Sequence, residues 1–375
     1  MEKNTLKFGL FLLTLSSVLE TSNSLVEGLE SARAYDYTKY HPMDEFGLKN
    51  PEGKEKKVIW MDCGIHAREW IAPAFCQWFV KEIVSSYKTN AKLEQMLQNL
   101  DVYVTPVINV DGYMYTWVDN STRLWRKSRS DPPPNRPYGT DEYYSVSALR
   151  PVQSWHLFFI DAVGVSFDSC SNTYCGISAG SEPEAKAVMD IVGKMHKQIL
   201  CFLTIHSAGQ LILLPYGHPE ISAPNYDELV SVGKAAAAEM KKVHGMDYTV
   251  GTSPQILYAN SGSSRDWARL IGIPFSYTFE LRDKGELDFH NRPNTMSRLL
   301  LGNISLCNPP GEFSHLLPEE QIQPACEEAF AGALSIITYV HDKAFNSGAL
   351  PNAAGLAITI WSTIMVVSLS TGVLV

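Results

Sequence analysis

Val58-Ile-Trp-Met-Asp-Cys-Gly64-Ile-His66-Ala-Arg68-Glu69-Trp70 joins a strand-like run to a pair of metal-ligating side chains. Val58 to Met61 has the apolar composition of a strand, with the charged stretch Lys54 to Lys57 before it and a break at Gly64. Directly beyond, an imidazole and a carboxylate stand three residues apart, and an amphipathic segment opens at Trp70. Open α/β sheets bind ligands at the carboxyl ends of their strands, where this order puts His66 and Glu69. His and carboxylate suit Zn2+, and a catalytic zinc takes a third protein ligand and leaves a fourth position to water. Taken alone, His-x-x-Glu is frequent by chance and reads more readily as an ordinary exposed loop pair.

A third ligand stands at the end of another apolar run, Leu200-Cys-Phe-Leu-Thr-Ile-His206-Ser207. A lone histidine there is more often a core residue, but His66, Glu69 and His206 together make a full catalytic zinc set. A further strand, Phe275-Ser-Tyr-Thr-Phe-Glu280-Leu281, carries a carboxylate inside an apolar run. Burying that group is costly unless it is paired or used. Glu280 is therefore a candidate general base with a raised pKa, the plainer reading being a salt bridge to Arg282 or Arg265.

The rest of the pattern is α/β. Ile71, Ala74, Phe75, Trp78, Phe79 and Ile83 recur at helical spacing. Val102 to Asn109 and Ile199 to Ile205 read as strands; Glu182 to Lys197, Asn225 to His244 and Pro318 to Lys343 read as helices. Length (375 residues) and apolar content (45%) allow a sizeable core. The net charge of −9 argues against nucleic acid or an anionic membrane surface as electrostatic partners.

His66-Ala-Arg68-Glu69-Trp70, Arg123-Leu-Trp-Arg126-Lys127, His206-Ser207, Ile256-Leu-Tyr258, Gly262-Ser-Ser-Arg265-Asp266-Trp267 and Phe279-Glu280-Leu-Arg282-Asp283 together resemble the zinc metallocarboxypeptidases of the A/B type. The resemblance covers most of residues 35–345. It implies a mixed, largely parallel central sheet with helices on both faces, one Zn2+ per chain, and peptide substrates with a free C-terminus. It also implies roles. His66, Glu69 and His206 would hold zinc, Glu280 would be the base, and Arg126 would face the oxyanion. Arg68 and Tyr258 would bind substrate, Asp141 would orient the first histidine ligand, and Cys63 would be bridged to Cys76. Arg265 aligns with the residue at the base of the pocket for the terminal side chain, where a guanidinium would favour C-terminal Glu or Asp. Without the motifs, Arg126 is a surface arginine, Tyr258 a half-buried aromatic, and Arg265 a loop residue paired to Asp266 or Glu280.

The chain also departs from that pattern. Between Met43 and Lys54 the family has a helix and two strands that are missing here, which predicts a sheet short of strands at one edge. Asp141 is followed by Glu142-Tyr-Tyr-Ser-Val-Ser rather than by the Asn-Arg pair that grips a terminal carboxylate in relatives. Residues 142–165 and 286–314 are foreign to the family, and Ala208 stands where relatives have Tyr. A zinc-binding homologue with impaired or no catalysis is therefore the alternative function.

Residues 1–22 read as a secretory signal, with Lys3 and Lys7 before the apolar Phe8 to Leu19, the alternative being a buried helix. Seven cysteines without a Cys-x-x-Cys spacing suit an oxidising compartment. Asn120-Ser-Thr and Asn303-Ile-Ser are glycosylation acceptors. The tail 346–375 pairs the small Ser347, Gly348 and Ala349 with an apolar run from Leu356 to Val375. It reads as a GPI-attachment signal that would tether the protein to the outer face of the plasma membrane, or as a retained single-pass helix.

Overall fold

The computed structural model describes residues 37–40, 56–130, 163–168, 171–178, 180–284 and 315–345, together with the backbone of Leu13–Thr14. Its strands are β1 (Leu13–Thr14), β2 (Lys57–Cys63), β3 (Leu100–Thr105), β4 (Ile199–Ser207), β5 (Leu211–Leu214), β6 (Thr249–Thr252) and β7 (Phe275–Leu281). They form one sheet in the order β1-β3-β2-β4-β7-β5-β6. β3, β2, β4 and β7 run parallel, β5 is antiparallel to β7, and β6 is parallel to β5. This is the mixed, largely parallel sheet the motifs imply. At the β3 edge, β1 meets only Tyr103 and Val104, two of the six residues of that strand.

The helices are α1 (Ile71–Ser86), α2 (Ala91–Asn99), α3 (Val110–Tyr115), α4 (Pro183–Met195), α5 (Tyr226–His244), α6 (Ser253–Ile256), α7 (Ser264–Leu270) and α8 (Ile322–Phe345). Strand side chains alternate between the faces of a sheet. Ile59, Met61, Cys63, Cys201, Leu203, Ile205, Tyr277 and Phe279 point into the larger core, against α1, α5 and α8. Val58, Trp60 and Phe202 point the other way, against α4 and α7. That second face turns polar as the strands approach their carboxyl ends. Asp62, Thr204, His206, Thr278 and Glu280 follow at the same alternation, and there the site is built.

Three sequence boundaries shift. The strand read over Val102 to Asn109 stops at Thr105, because Asn109 serves as N-cap of α3, its side chain accepting from the Gly112 N–H. The helix read from Pro318 begins at Ile322, after the extended Pro318 and a 3-10 turn at Glu319–Gln321. β4 runs on to Ser207, so His206 is a strand residue rather than the first loop residue beyond it. The foreign stretch 142–165, apart from 163–165, lies outside the described residues. So do residues 286–314 and 346–375, Asp141 and Asn303, and all of the signal segment but Leu13–Thr14. Among the described residues no helix is long and apolar enough to cross a membrane.

Candidate metal and active site

β2 ends at Cys63, and Gly64 turns the chain with φ +69°, a left-handed conformation that favours glycine. A Cβ there would lie 3.1 Å from Pro73 Cγ and 3.3 Å from Val107 Cα. A disulfide joins Cys63 to Cys76, tying the end of β2 to α1 across the turn. His66 and Glu69 sit within that turn. Glu69 places Oε1 2.7 Å from His66 Nδ1 and Oε2 3.1 Å from His206 Nδ1. The two Nδ1 atoms are themselves 3.1 Å apart. All three ligand atoms lie within 4.8 Å of one another. This donor set fits a zinc ion, with two imidazole nitrogens and one carboxylate oxygen converging on one point.

Burial and the Arg126 charge push His66 down to about 3, so its ring is neutral and has a lone pair to offer. Burial works against the Glu69 anion, but the two imidazoles beside it hold its carboxyl well below the usual range. Burial also lowers His206, but the Glu69, Glu280 and Asp62 carboxylates together more than offset it, so in the metal-free protein the ring ends above its ordinary value.

His206 is oriented from the second face of the sheet. Its Nε2 lies 3.0 Å from Thr204 Oγ1, and the Thr204 hydroxyl in turn bonds the Asp62 carboxylate. A hydroxyl has one proton. If Thr204 gives it to Asp62, it accepts from His206 Nε2–H, which leaves the Nδ1 lone pair for a metal. Trp60 Nε1 also donates to Asp62 at 2.8 Å. Burial nevertheless pushes the Asp62 carboxyl up to about 6.

A cavity of about 250 Å³ opens over these groups. Arg68, Arg126, Tyr258, Arg265, Glu280 and His315 line it together with His66, Glu69 and His206. Burial pushes the Glu280 carboxyl up to about 7, with Glu69 adding to the rise and His206, Arg265 and Arg126 opposing it. The salt-bridge alternatives for Glu280 are taken elsewhere: Arg282 pairs with Glu328, and Arg265 with Asp266 at 3.4 Å. Arg265 is buried, donating from Nε to the Leu214 carbonyl at 3.1 Å and from Nη1 to Thr278 Oγ1 at 3.3 Å. Its Nη2 donates to Ser253 Oγ and to Asn260 Oδ1. Arg126 is no surface arginine. It is half-buried, its Nη1 donates to the Asn172 carbonyl at 2.6 Å, and its own carbonyl accepts from the Ala67 N–H at 3.0 Å. Tyr258 lines the cavity although 53% exposed. Arg68 is buried in the wall, and Asn120 is exposed in a turn outside the site.

Sequence reasoning gave no role to several residues that build this site. Asn109 Nδ2 donates to the carbonyls of Ile65 and Lys127, pinning the ligand turn to the Arg126 loop. Arg123 stacks on Trp70, 3.6 Å from the ring centre, and donates to the carbonyls of Arg68 and His315 at 2.9 Å each. Asp62 carried a signal of the same kind as Glu280, a carboxylate in an apolar strand. Thr204 and His315 carried none.

A profile of the zinc carboxypeptidase family matches residues 36–332. Carboxypeptidase O of Homo sapiens is 48% identical over 307 residues, covering 82% of this chain and 72% of its own length. Carboxypeptidase O of Bos taurus is 46% identical over 319 residues, covering 85% and 75%. The solved structure of bovine thrombin-activatable fibrinolysis inhibitor in complex with tick carboxypeptidase inhibitor is 36% identical, with a TM-score of 0.61 over 77% of this chain and 84% of that one.

Proposed function

This chain belongs to the zinc carboxypeptidase family, and from that premise we propose that it hydrolyses the C-terminal peptide bond of peptides, preferring an acidic last residue. The observation that carries the reading is that His66, Glu69 and His206 line one cavity together with Glu280, Arg126 and the buried Arg265.

Held by His66, Glu69 and His206, zinc would polarise the scissile carbonyl and lower the pKa of a coordinated water to about 7. Glu280 takes the proton of the attacking water and delivers it to the leaving amine, a role that calls for a carboxyl tuned towards neutrality. Arg126 meets the negative charge that develops on the carbonyl oxygen, where a fixed cation is worth most in the transition state. Tyr258, exposed at 53%, covers the bound end of the peptide, and the buried Arg68 holds the chain. Arg265 receives the terminal side chain. A buried guanidinium favours a carboxylate and disfavours both cationic and apolar ends, which would leave it dehydrated without compensation.

The test is turnover by zinc-loaded protein of matched peptides ending in Glu, Phe or Arg. Hydrolysis with Glu first supports the reading. Zinc bound at one per chain with no turnover of any of the three replaces it with a homologue that binds metal without catalysis.

The sequence supports a place for this activity outside the cell. A signal at residues 1–22, a disulfide between Cys63 and Cys76, acceptors at Asn120 and Asn303, and a GPI-type tail over 346–375 all belong to the secretory route to the cell surface.

A further inference from the structure

Asn109 stands between β3 and α3, fully buried, and does not line the cavity. Every polar atom of its amide is in use. Oδ1 accepts from the Gly112 N–H at 3.0 Å, while Nδ2 donates to the Ile65 carbonyl at 3.2 Å and to the Lys127 carbonyl at 3.0 Å. Only this orientation satisfies all three partners, since two are pure acceptors and the third is a donor. The surrounding space is filled by the same groups. A Cβ on Gly112 would lie 2.6 Å from both amide atoms of Asn109 and 2.7 Å from the Lys127 carbonyl oxygen. An aspartate of the same shape would turn an oxygen on two carbonyls, and a serine is too short to reach them.

The amide joins the two halves of the site. Ile65 precedes His66, and Lys127 follows Arg126. On the other side of His66, the Ala67 N–H donates to the Arg126 carbonyl at 3.0 Å. The peptide groups flanking His66 are thus bonded to the carbonyls of Arg126 and Lys127, one directly and the other through Asn109. The backbone N–H groups of Ile108 and Asn109 close the base of the turn on the Cys63 and Gly64 carbonyls at 3.0 and 3.1 Å. A cation stabilises a developing oxyanion only from a fixed place relative to the atom that bears the charge. Displacement by about 1 Å is enough to cost roughly 10²-fold in rate.

We propose that Asn109 is a positioning residue that fixes Arg126 relative to His66, so that the metal-holding turn and the oxyanion-facing loop move as one body. The inference rests on the carboxypeptidase reading, which gives His66 and Arg126 their roles. It makes the transition state depend on a side chain that touches neither metal nor peptide.

The experiment compares wild-type protein with Asn109→Ser, alone and combined with Arg126→Met. Serine still caps α3 and removes both donors, while the Lys127 carbonyl keeps a second one in Trp125 Nε1 at 2.7 Å. On zinc-saturated protein and a peptide ending in Glu, Asn109→Ser should lower kcat by about 10- to 100-fold with KM little changed. Added to Arg126→Met it should change kcat by less than about twofold, because no cation remains to be placed. Zinc affinity, read by competition with a chelator, should fall about tenfold in Asn109→Ser with or without Arg126. Equal kcat losses in the two backgrounds overturn the inference by marking a general structural role, and so does the absence of a loss in either. Wild-type zinc affinity in Asn109→Ser overturns it as well. If zinc-loaded wild-type protein cleaves no peptide, the peptidase reading falls, and zinc affinity alone decides whether Asn109 positions the turn. Should Asn109→Ser fail to fold, hydrogen exchange on wild-type protein takes its place. Zinc should then slow exchange over residues 123–129 as well as 64–70, and slowing confined to 64–70 overturns the inference.

Discussion

His206 and Glu280 occupy one register position on the adjacent parallel strands β4 and β7. Neighbouring strands lie about 4.8 Å apart, and equal register puts both side chains on the same face. The proposed metal ligand and the proposed base are thereby set side by side by the sheet itself, with no loop needed to bring them together. Glu280→Gln keeps the shape and removes the proton acceptor. We expect kcat to fall by about 10²- to 10⁴-fold, with KM and zinc content little changed. Steady-state kinetics beside metal analysis checks this, and a loss smaller than tenfold would remove Glu280 as the base.

The same carboxylate sets the acid side of the pH profile. Burial raises its pKa to about 7 in the metal-free protein. A base acts only when ionised, so a raised pKa means that activity falls as pH drops through it. Zinc adds positive charge nearby and favours the carboxylate, so the limb of the loaded enzyme should lie below 7 and above the ordinary value of 4.5. Measuring kcat/KM between pH about 5 and about 8 tests this. A flat profile across that interval contradicts it.

Metal affinity depends on the ligands and on what orients them. His206→Ala opens a second coordination position and should lower zinc affinity sharply. Thr204→Val keeps volume but takes away the hydroxyl 3.0 Å from His206 Nε2, and should lower affinity by about 10- to 100-fold. Competition against a chelator of known affinity reads both. Full zinc retention by His66→Ala and His206→Ala would end the ligand assignment, whereas wild-type affinity in Thr204→Val would end only the orienting role.

The metal site was legible because its residues interrupt a pattern. His66 and Glu69 follow directly on an apolar run, His206 closes another and Glu280 stands inside a third, so each is anomalous beside its neighbours. What stayed hidden depends on partners distant in sequence. Thr204 is an ordinary strand residue until its register beside Asp62 is known. Asn109 closes an apolar run and looks like strand, although its side chain caps α3 and binds two loop carbonyls. His315 follows a stretch unlike the family, and its carbonyl is held by Arg123, 192 residues away. The four-residue strands β5 and β6 are too short for alternation to distinguish them from loop.

Anchoring has its own test. Cells displaying the full chain should release it on treatment with a phosphatidylinositol-specific phospholipase, as a GPI tether requires. Protein that stays with the membrane after lipase and still carries the Leu356 to Val375 segment would instead have a retained helix.

Arg265 governs the last prediction. The guanidinium has five N–H donors, and four are taken by Leu214, Thr278, Ser253 and Asn260. One Nη1 proton therefore remains for a ligand, so a terminal carboxylate meets a single charge-assisted bond and a fixed charge rather than the two-pronged grip its chemistry allows. Asp266 at 3.4 Å offsets part of that charge. Such a bond is worth about 1.5–3 kcal/mol, so Glu should be favoured over Phe by roughly ten- to a hundredfold in kcat/KM, and over Arg by more. Arg265→Met removes the charge and should bring Phe to the front. Arg265→Asp reverses it and should advance Arg, although it sets a second carboxylate beside Asp266 and leaves the Leu214 carbonyl without its donor. The methionine variant therefore carries the test if the aspartate variant does not fold. The measurement is kcat/KM for the three matched peptides on wild-type protein and both variants. If their order is the same throughout, Arg265 does not read the terminal side chain.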